Sequence, residues 1–312
     1  MRFVSIGDLV LDYYYQDNKL LGVCGGNTSH NIIANLAYNN IPTAVYSVCG
    51  NDIQGEIAIK SLEDLNVDTS NIERIDNIRT RSLHVSEFKT KRRCPICGEK
   101  TWYQESLINT NDILNSISKD DILVFDNLNT RNQIIIDNTK NLKIIDLGYY
   151  QEFKELSNEE IINKIKNKFI IINFNERVTK YLLERFKLNS DLGLYKLFNP
   201  KFMTITRGTK GSTFIYENKI YNFDLVSLGN EIDPSGAGDT FISSIIKDWI
   251  DNNYIFDSTL FKNWYKKSND LTSIVVSKIG ARSHIYPLYK VETTNNCSCN
   301  EINLIKNKQL TR

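Results

Sequence analysis

The chain has 312 residues, 41% hydrophobic and 24% charged, the make-up of a globular protein with apolar mass for a substantial core. Its 38 basic residues balance 37 acidic ones, for a net charge of +1. No global basic field therefore draws it to nucleic acid, and polyanion binding would need a local patch. The apolar run before Asp8 is too short for a signal peptide, and no window approaches the roughly eighteen apolar residues of a membrane span, so a cytoplasmic protein is expected. Six cysteines in a chain this long are not a disulfide framework; in a reducing compartment, paired cysteines point to metal or reactivity.

In chain order, apolar runs of strand length alternate with amphipathic stretches of helix length, which is α/β wiring around a mostly parallel sheet. RFVSIG (2–7) reads as a strand, TSHNIIANLAYN (28–39) as a helix capped by Thr28, TAVYSVCG (43–50) as a strand and IQGEIAIKSLEDL (53–65) as a helix. Further strands are expected at 121–127, 142–148, 169–173 and 202–208, each beside a helical pattern. Residues 72–106 break the rhythm with three short alternating runs and no helix between them. Antiparallel strands outside the main sheet, forming a lid, are expected there.

The stretch EIDPSGAGDTF (231–241) carries the clearest chemistry. Gly236, Ala237 and Gly238 leave no bulk to keep backbone N–H groups from a ligand, and the apolar run after them makes the loop a helix N-terminus, which favours an anion. Asp239 would repel that anion if the loop only bound it. A carboxylate there suits a general base that takes a proton from a hydroxyl while the amides stabilise charge on a transferring phosphoryl group. A tight turn with Asp239 as a capping residue is the plainer alternative.

Together with CGGNTSHNIIANLA (24–37), VCGNDIQGE (48–56), Asp12 in GDLVLDYY, NFNE (173–176) and ITRGTKGS (205–212), the stretch DPSGAGDTF resembles the ribokinase-like (PfkB) carbohydrate kinases, from residue 3 to about 285. The resemblance implies a three-layer α/β fold with a central, mostly parallel sheet, in a kinase domain over 1–290 with lid strands near 10–22 and 72–106; residues 291–312 would be a tail. It implies phosphorylation of a hydroxyl of a sugar or sugar derivative with ATP and Mg²⁺. Asp239 would be the base; Gly236, Ala237 and Gly238 the anion hole; Asp12, Gly25, Gly26 and Asn27 the grip on substrate hydroxyls. Asn175 and Glu176, or Asn173 with Glu176 in the other register, would serve Mg²⁺ and phosphates, and Thr206, Gly208, Lys210 and Gly211 the nucleotide. A homodimer through the lid is also implied. Locally, Asp12 also reads as a surface-turn residue, Glu176 as a first-turn helix acid and 208–211 as a hairpin turn. A nucleoside kinase of the same family and a non-catalytic sugar sensor are the rival functions. His30 departs from the family, which usually has asparagine there, and Asn31 follows it.

Cys24 and Cys49 read as buried structural thiols, His84 and His284 as ordinary histidines, and KTKRR (89–93) as a solvated face. CPICGEK (94–100) is an addition to the family pattern. Cys-Pro-x-Cys-Gly has the shape of a zinc knuckle, and Cys297 with Cys299 could complete a Cys₄ Zn²⁺ site with Cys94 and Cys97, although their spacing is tight. A site shared between Cys94 and Cys97 of two copies, and a pair of free or disulfide-linked thiols, are the alternatives.

Overall fold

A computed structural model of the chain describes residues 1–86, 89–91, 93–98, 109–226, 230–293 and 302–304. Seven parallel strands form the body of a nine-stranded sheet: β1 (Phe3–Ile6), β4 (Thr43–Gly50), β5 (Asp68–Ile75), β8 (Ile122–Phe125), β9 (Lys143–Leu147), β10 (Ile171–Asn175) and β11 (Phe202–Thr206). An antiparallel pair, β12 (Ser212–Tyr216) and β13 (Lys219–Phe223), finishes one edge, giving the order β13-β12-β11-β10-β9-β8-β1-β4-β5. β2 (Val10–Gln16), β3 (Lys19–Gly25), β6 (Arg81–Ser86) and β7 (Lys89–Lys91) form a separate small sheet in the order β3-β2-β6-β7. β14 (Val291–Thr293) pairs with β15 (Ile302–Leu304) as a C-terminal hairpin.

Successive side chains of a strand point to opposite faces, so a sheet covered on both sides reads as continuous apolar runs. Phe3, Val45, Ile144 and Ile171 pack against helices α1 (Thr28–Tyr38), α2 (Ile53–Glu63), α8 (Ala237–Asp251) and α9 (Phe261–Val276). Their neighbours Val4, Ala44, Ile145 and Ile172 pack against the other layer, which includes α4 (Thr130–Asn138), α5 (Asn158–Ile165), α6 (Glu176–Phe186) and α7 (Asp191–Phe198). The short α3 (Thr110–Ser116) contributes Ile113 to that layer. The result is the expected three-layer α/β fold. Among the described residues no helix is long and apolar enough to cross a membrane.

Three local expectations are corrected. β5 takes residues 72–75 into the main sheet as a parallel edge strand on β4, because its register with 46–50 continues the parallel ladder. In the lid, β2 pairs with β6 in parallel, Val10 opposite Arg81, while only β2–β3 and β6–β7 are antiparallel. Helix α1 is capped by Asn27 rather than Thr28: Asn27 adopts φ 78° and its side chain accepts the Ser29 N–H, leaving Thr28 as the first helical residue. His84 is a core residue, fully buried and stacked on Tyr13 with ring centroids 5.1 Å apart.

Candidate active site at the carboxyl ends of the strands

Helix α8 begins at a residue that only glycine serves well. Gly236 has φ 76°, and a Cβ there would collide with the Ala281 carbonyl. The loop before it is pinned by Asp233, whose carboxylate accepts the N–H groups of Ser235 at 2.9 Å and Gly280 at 2.8 Å. The Ala237 N–H folds back to the Pro234 carbonyl, and the bond from Thr240 N–H to the Gly236 carbonyl opens the helix. Helix geometry therefore leaves the Gly238 and Asp239 amides without an intrahelical acceptor. A Cβ on Gly238 would meet nothing within 4 Å, so the helix head is open beside that residue. The loop forms a helix head, with the Ala237 N–H, one of the amides expected to face an anion, turned onto Pro234 and the Gly238 and Asp239 amides at the open end.

Asp239 is 9% exposed. It accepts from Asn31 Nδ2 at 2.6 Å and from the Thr28 side chain. Burial pushes its pKa up to about 6; the Asn31 hydrogen bond, Arg282 and Thr28 hold it down while Asp126 raises it further. Thr28 and Asn31 lie one turn apart on α1, on the face that packs on α8. His30 points elsewhere: it is fully buried, and burial lowers its pKa to about 3, so the ring is neutral at physiological pH. The position after the departure from the family pattern is thus the one that touches the carboxylate.

Asp12 projects from β2 into the same region. Its Oδ1 is buried with no hydrogen-bond partner, and Tyr14 approaches Oδ2 at 3.5 Å. Burial raises its pKa to about 7, with Arg282 and Tyr14 opposing and Asp239 adding to the rise. The double glycine makes room for these groups. A Cβ on Gly26 would overlap the Asp12 carboxylate, and one on Gly25 would come within 2.8 Å of an Arg282 nitrogen. Asn27 is already engaged, donating to the Asp8 carbonyl at 3.1 Å and capping α1.

Arg282 was not singled out from the sequence. It is 1% exposed and donates to Asn31 Oδ1 at 2.7 Å, Ser61 Oγ at 3.1 Å and the Gly26 carbonyl at 3.3 Å. It thereby ties α1, α2 and the double-glycine turn behind both aspartates. An arginine following a helix, outside any phosphate or sugar motif, carries no sequence signal of such a place. Asp126, just after β8, and Asp146, in β9, were missed for the same reason. Burial raises both, Asp146 to about 7.

The residues expected to serve Mg²⁺ and the nucleotide lie at and just beyond the ends of β10 and β11. Asn175 caps α6 through the Val178 N–H at 2.9 Å and donates to the Gly148 carbonyl at 2.8 Å. Asn173 faces inward instead, bonded to Asp146 at 2.8 Å and Thr204 at 2.6 Å. Glu176 opens α6 and pairs with Lys210 at 2.9 Å and Lys180 at 3.3 Å; the Lys210 bond lowers its pKa. Thr206 lies opposite Asn175 across the ladder, and Gly208 (φ 57°) and Lys210 form the short 3-10 turn beyond it. Gly211 (φ 83°) closes that turn where a Cβ would collide with the Phe223 carbonyl. Cys94 and Cys97 lie in a turn after the lid strand β7, away from these groups in sequence, and Cys297 and Cys299 lie outside the described residues.

No protein-family model and no curated protein matches the sequence. Solved structures do match its shape. A fructokinase from Vibrio cholerae with fructose, ADP and calcium bound superposes with a TM-score of 0.71 at 18% identity, over 91% of this chain and 96% of that one. An Escherichia coli protein described as a putative ribokinase II, in complex with ATP and Mg²⁺, gives 0.71 at 17% identity over 91% and 95%. A Methanocaldococcus jannaschii nucleoside kinase of the ribokinase family gives 0.66 at 15% over 91% and 94%. The fold is the ribokinase fold. At these identities the likeness establishes architecture, and activity has to be argued from the site.

Proposed function

We propose that the protein is a kinase that transfers the γ-phosphoryl group of ATP to a hydroxyl of a sugar or sugar derivative. The observation that carries this reading is the pairing of Asp239, beside the unfilled amides at the head of α8, with Asp12, which presents a buried, unpartnered Oδ1. Asp12 can accept hydrogen bonds from acceptor hydroxyls and hold the polyol against the Gly25–Gly26 backbone. Asp239 takes the proton of the attacking hydroxyl, and with a pKa of about 6 it is mostly ionised at neutral pH yet basic enough to do so. The Gly238 and Asp239 amides stabilise charge on the transferring phosphoryl group. Asn31 and Thr28 aim the carboxylate, and Arg282 holds Asn31.

A divalent cation suits this end of the sheet, where Asp126 and Asp239 raise the pKa of Asp146 and Asp126 raises that of Asp239. Among the described residues no three acidic, histidine or cysteine side chains are grouped to cage a metal; Mg²⁺ in general keeps several waters and uses few protein ligands. Asn175 and Glu176 are the residues that would hold it, Glu176 exchanging its exposed lysine partners for the ion's water shell. When bound, Mg²⁺ would neutralise charge on the phosphates.

Nucleosides are kept as acceptors because a nucleoside kinase shares the fold. The test is ATP consumption with Mg²⁺ over pentoses, hexoses, amino-sugar conjugates and nucleosides. One acceptor class is expected to raise consumption well above the rate without acceptor. If none does, the protein is a binding module with a kinase fold and the proposal fails.

A further inference from the structure

Tyr149 and Tyr150 follow β9 side by side, and the fold uses them differently. Tyr150 stacks on Tyr181 of α6 with ring centroids 5.0 Å apart, and Lys154 lies over its ring. Tyr149 makes no ring contact and no side-chain hydrogen bond among the described residues. At 62% it is also more exposed than any other large apolar side chain described. Its backbone is held on both sides: Asn175 Nδ2 bonds the Gly148 carbonyl at 2.8 Å just before it, and the fully buried Phe153 ends the 3-10 turn just after it. A pinned backbone that carries an uncovered aromatic ring suits a side chain kept for a ligand.

Its place says which ligand. β9 lies between β8 and β10, so Tyr149 stands at the carboxyl end of the sheet, three residues beyond Asp146. The protein around its hydroxyl raises the pKa of the phenol, Asp239, Asp12 and Asp126 raise it further, and Arg177 lowers it. Those three carboxylates come from α8, β2 and the end of β8, so the phenol keeps its proton beside the cleft that Asp12 and Asp239 share. Ionised carboxylates only accept hydrogen bonds, so Asp12 and Asp239 serve the O–H groups of a polyol and leave its oxygen lone pairs without a donor. A protonated phenol supplies that donor, and its ring offers an apolar face to the C–H groups of a sugar.

We infer that Tyr149 binds the acceptor of the phosphoryl transfer, its hydroxyl donating to an acceptor oxygen and its ring covering the sugar held by Asp12 and the Gly25–Gly26 turn. This role rests on the kinase reading above and adds to it a contact from the β9 side of the sheet.

The experiment compares wild type, Tyr149→Phe and Tyr149→Ala with the compound of the acceptor panel that wild type turns over fastest. Tyr149→Phe should raise the acceptor KM about threefold to tenfold, the worth of one hydrogen bond. Tyr149→Ala should raise it more, about tenfold to a hundredfold, because the ring is lost as well. The KM for ATP should stay within about a factor of two. Because the ring packs on no other ring and bonds to nothing described, both variants should melt with the wild type. The panel is also titrated calorimetrically into all three proteins, and tyrosine nitration by tetranitromethane is mapped by mass spectrometry with and without the compound that binds. Nitration of Tyr149 should fall on binding, while that of the exposed Tyr38 and Tyr254, at the far end of α1 and beyond that of α8, should not change. An acceptor KM and binding constant unchanged in Tyr149→Ala overturn the role of Tyr149 and leave the kinase reading standing, as does a loss confined to ATP. A compound that binds Tyr149→Ala more weakly but is not phosphorylated by wild type supports the contact and overturns the kinase reading. A panel in which nothing binds or is turned over overturns both.

Discussion

Several carboxylates at the two ends of the central sheet are treated in opposite ways, with Asp8, paired to Arg81 and Arg131 near the carboxyl end, standing apart. At the amino end, Asp121 is 3% exposed and accepts from Arg2 at 3.2 Å and from the Ser118 N–H at 3.0 Å. The same arginine reaches Asp68 at 2.9 Å. Burial opposes the charge on Asp68, yet its bonds from Ser70 and Arg2 more than offset this and hold it below the usual range; Lys168 and Gln133 do the same for Asp137. At the carboxyl end, burial lifts Asp12, Asp126, Asp146, Glu152 and Asp239 above the usual range. Arg282, buried beside Asp12 and Asp239, offsets only part of the rise. Acids matched with cations serve the fold. Acids gathered faster than cations cost stability, and such an arrangement persists where a ligand or a reaction needs it.

The largest effect expected from this contrast is on turnover. Asp239→Asn should lower kcat by at least about a hundredfold, as loss of a general base does. It should not lower the melting temperature at pH 8. A carboxyl raised from 3.8 to about 6 binds more protons folded than unfolded between those values, so its contribution to stability falls as pH rises through that window. Removing the charge relieves that cost. Asp121→Ala should do the reverse, costing about 1 to 3 kcal/mol of stability through the lost charge-assisted bonds while leaving kcat within about a factor of two. Steady-state kinetics and thermal melts on the two variants decide it, and an Asp239 variant that melts early but turns over normally would erase the distinction between the two ends.

Next in size is the acceptor. Asp12→Ala should raise the acceptor KM by about tenfold to a hundredfold, the worth of hydrogen bonds to a charged group, with the KM for ATP little changed. Asp12 differs from Asp239 in having an Oδ1 with no partner in the fold, so its loss should register in binding more than in the chemical step. A change confined to ATP affinity would place Asp12 on the wrong side of the site.

Much of this architecture was legible in the sequence because it rests on local rules. The apolar runs of β1, β4, β9 and β11 and the helix beginning at the 236–238 turn follow from strand length, burial on both faces and helix-head chemistry. What was not legible depends on partners far along the chain. The parallel pairing of β2 with β6 joins residues about seventy positions apart, and no alternation within either strand says which way its neighbour runs. Arg282 meets Asn31 across 251 positions, and an isolated arginine after a helix looks the same whether it is exposed or completely buried. The buried acids at the ends of β8 and β9 read as ordinary strand-end polar residues, because burial is a property of the packed layers and not of the tetrapeptide around them. Asn173 and Asn175 share a strand parity and differ in depth: residue 173 is buried and bonded to Asp146, whereas 175 ends the strand and caps α6.

The smallest effect is also the most specific to the way the carboxyl end manages its acids. Asn31 donates its 2.6 Å hydrogen bond to the charged form of Asp239 and is held from behind by Arg282 at 2.7 Å. Thr28 also bonds to the carboxylate, Arg282 lowers its pKa, and Asp126 raises it. Removing the Asn31 bond leaves the raising influences less opposed. Asn31→Leu should therefore move the acid limb of log(kcat/KM) to higher pH by up to about one unit from its position near 6, and recover most of the wild-type rate on the alkaline plateau. The neighbouring carboxylates make this a property of the group, so the limb reports an apparent value rather than Asp239 alone. Arg282→Met should shift it in the same direction, since a positive charge that favours ionisation is lost. A pH profile that keeps its limb in place while the whole curve drops would make Asn31 a packing residue, and would leave the raised acids at this end of the sheet without the group proposed to tune them.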